Sequence, residues 1–324
     1  MPVNNDELLK CSIYGGADVP ISIEKIQQLL NDQNYIVDRP LALTLYLAWS
    51  LGKPVLLEGD AGVGKTEVAK ALARALNTEL IRLQCYEGID ASQALYEWNY
   101  ARQIFTIRLS ESQGSGIGVD SIYNEENLVK RPLLSALLSD GYTPPVLLID
   151  EVDRADEEFE AFLLEILSDF QVTIPEIGTI KARKVPLVLL TSNRTRELND
   201  ALKRRCLYFW VDYPSREREY EIVTTKVGGL NRQLAREICT FMWVIRQNDL
   251  LKKPGIAETL DWAMALELLE SGELTQQVIR ETLPCIIKCQ DDLERINTTE
   301  KLTEILQKVY DVLNGMVVDC SGML

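Results

Sequence analysis

Residues Gly59-Asp60-Ala61-Gly62-Val63-Gly64-Lys65-Thr66 fit the spacing G-x-x-x-x-G-K-[ST] at every fixed position. The flanks constrain the fold further. Pro54-Val55-Leu56-Leu57-Glu58 has the composition of a buried strand, and Thr66 to Leu76 the pattern of a helix. A glycine-rich turn between strand and helix aims successive backbone N–H groups into one concavity, and the helix N-terminus adds partial positive charge. Such a turn holds a polyphosphate with few side chains. Lys65 supplies a mobile cation for the outer phosphates, the Thr66 hydroxyl is a ligand for Mg²⁺, and Gly59 through Glu67 are the expected nucleotide-binding residues.

From this turn onward strands alternate with helices, the pattern of an α/β domain with a parallel sheet. Five strands are predicted: Pro54–Glu58, Glu79–Cys85, Val146–Asp150, Pro186–Ser192 and Cys206–Val211. Val55-Leu56-Leu57, Val146-Leu147-Leu148-Ile149 and Leu187-Val188-Leu189-Leu190 are continuous apolar runs, as expected of strands covered on both faces. Residues 1–20 read as a loosely structured extension, with helices at Ile21–Asp32 and Asp38–Leu51 before the first strand. Asp156 is a candidate N-cap for a helix whose core face is Phe159, Phe162, Leu163, Ile166, Leu167 and Phe170. An insertion spans about 102–139: Arg102–Arg108 has strand composition, Ser110–Gly118 that of a flexible loop, and Asn127–Ser139 that of a helix. β-Formers around a Pro and a Gly at about 171–184 predict a hairpin. The α/β domain is therefore expected over 21–212, with a smaller all-helical domain over 213–324.

Net charge and residue usage exclude several kinds of chemistry. A net charge of −15 argues against nucleic-acid binding driven by counterion release. The absence of histidine removes Ser-His-Asp and Cys-His catalysis and histidine-ligated metals. The seven cysteines are scattered and mostly lie in apolar runs, as reduced core residues do; Cys285 and Cys289 are the one close pair. With no membrane-length apolar run and no signal-peptide pattern at the N-terminus, a cytoplasmic protein is expected.

Three further stretches supply the groups that phosphate chemistry needs. Val146-Leu147-Leu148-Ile149 ends in Asp150-Glu151, an apolar strand delivering two acids toward the phosphate loop. Asp150 is suited to position Mg²⁺, and Glu151 to polarise a water against the γ-phosphate. Thr191-Ser192-Asn193 follows the next strand, and the Asn193 amide can hydrogen-bond that phosphate or that water. Lys203-Arg204-Arg205-Cys206 precedes the fifth strand, and a guanidinium there can stabilise a phosphoryl group in flight, reaching a neighbour's site if copies form a ring.

The order of phosphate loop, Leu148-Ile149-Asp150-Glu151, Thr191-Ser192-Asn193, Arg204-Arg205-Cys206 and a helical domain resembles the AAA+ ATPases. The insertion and the hairpin resemble those of the MoxR branch. Four stretches, Glu58–Lys70, Leu95–Tyr100, Leu189–Glu197 and Lys253–Trp262, resemble the CoxD-like MoxR ATPases associated with carbon monoxide dehydrogenase maturation. The likeness covers roughly residues 35–265. It implies ATP and Mg²⁺ as ligands, with Lys65 and Thr66 on phosphate and metal, Asp150 and Glu151 as the metal-positioning and catalytic acids, and Asn193 as first sensor. It also implies Arg205 as arginine finger, with Arg204 as the alternative, and Gln84 as a restraint on Glu151. A second sensor Arg is missing from Ala257–Met264; either another Arg, such as Arg232 or Arg236, replaces it or the lid senses nucleotide differently.

The resemblance further implies a homo-oligomeric ring, a hexamer, that remodels a protein client with a von Willebrand A domain partner. Two other functions are compatible with the same core. A nucleic-acid motor or loader is disfavoured by the acidity, and a nucleotide-gated binding module by the joint presence of Glu151, Asn193 and Arg205. Ile104–Lys130 and Val172–Lys181 are the segments expected to meet a client or partner, unless they are surface decoration.

Overall fold

Five strands form one parallel sheet in a computed structural model that describes residues 8–9, 19–20, 22–112 and 122–315. In chain order they are β1 (Val55–Glu58), β2 (Leu80–Gln84), β3 (Val146–Asp150), β4 (Leu187–Ser192) and β5 (Leu207–Trp210). Their spatial order is β5-β1-β4-β3-β2, with every neighbouring pair parallel. The three central strands β1, β4 and β3 are buried at every residue, which is why their sequences are unbroken apolar runs. The edge strands β2 and β5 alternate between covered and more exposed positions. β2 therefore carries Arg82 and Gln84 on its open face, two residues apart and so on the same side.

Register decides which residues meet. Gln84 pairs with Asp150 across β2 and β3, and Leu190 pairs with Ile149 across β4 and β3, which sets Thr191 level with Asp150. All five carboxyl ends lie along one edge of the sheet, the edge where open α/β folds bind ligands. Helix Lys65–Ala75 follows β1 through the glycine-rich turn. Helix Glu157–Asp169 is capped by Asp156, whose Oδ1 accepts from the Phe159 amide at 2.8 Å, and it buries Phe159, Leu163, Ile166 and Leu167 in the core beneath the sheet.

The insertion differs from the sequence reading in two places. Arg102–Arg108 is not a strand but part of helix Tyr100–Ser112. Asn99 starts that helix, its Oδ1 accepting from the Arg102 amide at 3.0 Å, and this local cap outweighs the strand-like Ile104, Thr106 and Ile107. Asn127–Ser139 is helical only over Pro132–Leu137; Leu128–Lys130 is a strand paired antiparallel with Tyr96–Trp98. Of Ser110–Gly118, residues 110–112 belong to the helix and the rest lies outside the described residues. The expected hairpin is present as Gln171–Ile174 paired with Gly178–Lys181. In the N-terminal stretch Leu8–Leu9 pairs with Val19–Pro20.

The described chain divides into two compact units. One runs as far as Gly59 and resumes over Lys65–Trp210; the other comprises Asp60–Gly64 and the residues from Val211 onward. The second unit is built of helices, among them Arg216–Lys226, Arg232–Ile245, Ile256–Leu268 and Thr299–Leu313. Leu234, Ile238, Phe241, Met242 and Ile245 point into its core with Trp262, Leu302, Ile305 and Val309, whereas Leu313 is exposed. An ion pair is sealed inside: Arg246 donates to both Glu219 carboxylate oxygens at 2.6 and 2.7 Å and to the Pro254 carbonyl at 2.8 Å. Thr259 adds a hydroxyl to Glu219 at 2.5 Å, so one carboxylate ties helices Arg216–Lys226 and Ile256–Leu268 to the end of Arg232–Ile245.

Candidate functional site

The glycine-rich turn that follows β1 in the chain has the backbone that a phosphate cradle needs. Gly62 and Gly64 take φ of 80° and 98°, values that glycine adopts without a side-chain clash. Lys65 is buried and folds back over the turn, its Nζ donating to the Gly59 carbonyl at 2.8 Å. Val63 is buried beneath the turn while Asp60 and Ala61 are exposed at its apex. Glu67 pairs with Arg74 at 2.9 Å and Lys70 at 3.6 Å on the helix surface.

The Thr66 hydroxyl donates to Asp150 Oδ1 at 3.0 Å. A hydroxyl and a carboxylate side by side form the hard-oxygen donor set that Mg²⁺ prefers, so these residues fit the ion. Asp150 is buried and heavily hydrogen-bonded: Thr191 donates to its Oδ1 at 2.5 Å, and Arg82 Nε and Nη2 to its Oδ2 at 3.0 and 2.5 Å. The Cys85 amide donates to the Asp150 carbonyl at 2.8 Å, holding its backbone against β2. Burial, then the negative charges of Asp150, Asp153 and Glu151, push the Cys85 thiol up to about 12.

Glu151 takes a left-handed backbone, φ 56° and ψ 49°, and its amide donates to Thr191 Oγ1 at 2.9 Å. Three groups surround its carboxylate. Gln84 Nε2 donates at 3.1 Å, Arg154 Nε lies at 3.1 Å, and Asn193 Nδ2 is at 3.5 Å. The structure thus gathers Thr66, Gln84, Asp150, Glu151 and Asn193 into one cluster beside Lys65.

Residues 54–206 match the AAA domain of the dynein-related subfamily. The fold of that segment is an AAA fold. An uncharacterized protein of Staphylococcus haemolyticus is 31% identical over 172 residues, which cover 51% of this chain and 57% of that protein. The denitrification regulatory protein NirQ of Pseudomonas aeruginosa is 22% identical over 243 residues, 73% of this chain and 84% of NirQ. The chaperone protein ClpB of Mycoplasma pneumoniae is 23% identical over 301 residues, 86% of this chain and 37% of ClpB. The match therefore spans little more than half the length of the staphylococcal relative.

Arg204 and Arg205 end the short helix Asp200–Arg205 of the AAA domain, both exposed. Arg205 Nε donates to Ser168 at 2.5 Å and its Nη1 to the Ala201 carbonyl at 3.5 Å, rather than to the Asp150–Glu151 cluster. In the second unit, Arg232 is exposed and Arg236 lies over the Tyr220 ring at 5.7 Å. That unit also contains the turn apex Asp60–Gly64, where the Ala257 amide donates to the Gly62 carbonyl at 3.3 Å. A side chain at Gly255 would place its Cβ 2.6 Å from the Gly62 carbonyl, so only glycine fits there.

Sequence reasoning missed Arg82, Arg154 and Thr191 around the acids of the AAA domain, and Gly255 and Arg246 in the second unit. Thr191 stood beside Asn193 in the same motif, and its place level with Asp150 follows from parallel pairing of two apolar strands. No local signal marked the others. Cys85, Cys206 and Cys239 are buried free thiols, Cys285 and Cys289 are partly exposed free thiols, and Cys11 and Cys320 lie outside the described residues. No helix among the described residues is long and apolar enough to cross a membrane.

Proposed function

We propose that this chain is a Mg²⁺-dependent ATPase of the MoxR type, acting in the cytoplasm as a ring-forming, chaperone-like remodeller of a protein complex. One observation carries the reading: a phosphate turn places Thr66 3.0 Å from Asp150 while Glu151, the next residue, is poised between Gln84 and Asn193. On ATP entry Lys65 leaves the Gly59 carbonyl for the outer phosphates, and the backbone amides of the turn take the inner ones. Mg²⁺ supplies charge neutralisation on the phosphate oxygens when bound beside Thr66 and Asp150. Glu151, released from Gln84, accepts a proton from the attacking water, and Asn193 orients that water against the γ-phosphate.

Arg205 acts from the adjoining copy, which accords with its exposure and its separation from its own Glu151 network. The remodelling role draws on the chaperone ClpB and the regulatory protein NirQ among the relatives, and on the exposed Ile104, Phe105 and Leu109 of the insertion as a client-facing surface. A von Willebrand A domain protein is the partner expected from the MoxR likeness.

Calorimetry of ATP binding with Mg²⁺ tests the reading at its root: heat of uptake is expected, and its absence would overturn it. The finger is tested separately. Arg205→Ala is expected to leave ATP affinity intact and lower turnover by about 10³-fold or more, read as phosphate release from the assembled protein. A wild-type rate would remove Arg205 from the role and turn attention to Arg204.

A further inference from the structure

Asp150 is 2% exposed, and a carboxylate that deep needs a countercharge. Thr66 and Thr191 give it hydrogen bonds but no positive charge. Arg82 gives both, from a strand at the sheet edge where its own side chain stays 48% exposed. Its Nη2 also donates to Gln84 Oε1 at 2.5 Å, and the other end of that amide donates to Glu151 Oε2 at 3.1 Å. Arg82 therefore grips the metal-positioning acid directly and the catalytic acid through Gln84.

We propose that Arg82 is a displaceable counter-ion, a positioning residue that holds Asp150 and Glu151 in a resting arrangement and is exchanged for the divalent cation. The inference rests on the reading of Asp150 as the metal-positioning acid. Oδ2 already accepts two guanidinium N–H groups, so a cation approaching that oxygen meets both occupied lone pairs and a like charge. The exposed stem lets Arg82 swing into water at little cost, since its solvation is only partly surrendered in the resting state. As it leaves, Gln84 loses the bond that fixes its amide. Glu151 is then free to turn toward the water. Metal arrival and release of the catalytic acid become one event.

The test is Mn²⁺ titration of the full chain with bound ADP, followed by electron paramagnetic resonance, for wild type, Arg82→Gln and Arg82→Lys. A fluorescent ADP analogue without divalent ion reports nucleotide binding in parallel. Arg82→Gln is expected to tighten Mn²⁺ by about tenfold, because a competing positive charge is gone, and to leave metal-free ADP binding unchanged. Arg82→Lys, which keeps the charge but not the fork, is expected to lie between. Intact ADP binding with unchanged or weaker Mn²⁺ affinity in Arg82→Gln would overturn the proposal alone. A wild-type protein that binds no ADP would overturn the functional reading and the proposal with it.

Discussion

Glu151→Gln is expected to abolish ATP turnover while ATP stays bound. The change is isosteric and removes only the charge that accepts a proton. Loss of a positioned general base lowers the rate by roughly 10²–10⁴-fold. The neighbours predict that the fold survives. With its oxygen in the Oε2 position the new side chain still accepts from Gln84 Nε2, Asn193 can rotate its amide to meet the other end, and Arg154 is more than half exposed and can turn to water. Phosphate release and affinity for a fluorescent ATP analogue, measured on one preparation, check both halves. A variant that hydrolyses at the wild-type rate would remove Glu151 from the chemistry.

Glu219→Ala is expected to be the most destabilising single change in the helical unit. It leaves the Arg246 guanidinium, 8% exposed, without its anion, and strands the Thr259 hydroxyl. Breaking a buried pair from one side costs about 3–5 kcal/mol. For a unit of this size that corresponds to a fall in Tm on the order of 10 °C or more. Thermal melts followed by circular dichroism read the loss. Replacing both partners with apolar residues, Glu219→Leu with Arg246→Met, is expected to restore most of it, because no lone charge then remains. A single variant as stable as wild type would show that the cation finds water or another anion.

Short-range patterns made most of the sheet legible, and pairings across long stretches of sequence accounted for what was not. Val55-Leu56-Leu57, Val146–Ile149 and Leu187–Leu190 are readable as central strands because burial on both faces leaves no room for polar residues. The phosphate turn is readable because its ligands are contiguous. Arg102–Arg108 misleads because β-branched residues mimic a strand, while the deciding group, Asn99, stands outside the segment. Leu128–Lys130 is extended only because Tyr96–Trp98 pairs with it. Arg82 meets Asp150 across 68 residues, and Arg246 meets Glu219 across 27, so neither contact leaves a mark in its own neighbourhood.

The left-handed twist at Glu151 has a geometric result. Successive residues of an extended strand project to opposite sides, so Asp150 and a strand-like Glu151 would serve two separate volumes. By leaving the strand there with φ of 56°, the chain turns the second acid out of the strand's alternation to meet Gln84 and Asn193, and a Thr191 hydroxyl pins the bend from the adjacent strand. Side chains branched at Cβ resist that conformation, so the corner itself filters which residues can stand at position 151. Two adjacent acids take different surroundings because the peptide between them turns a corner.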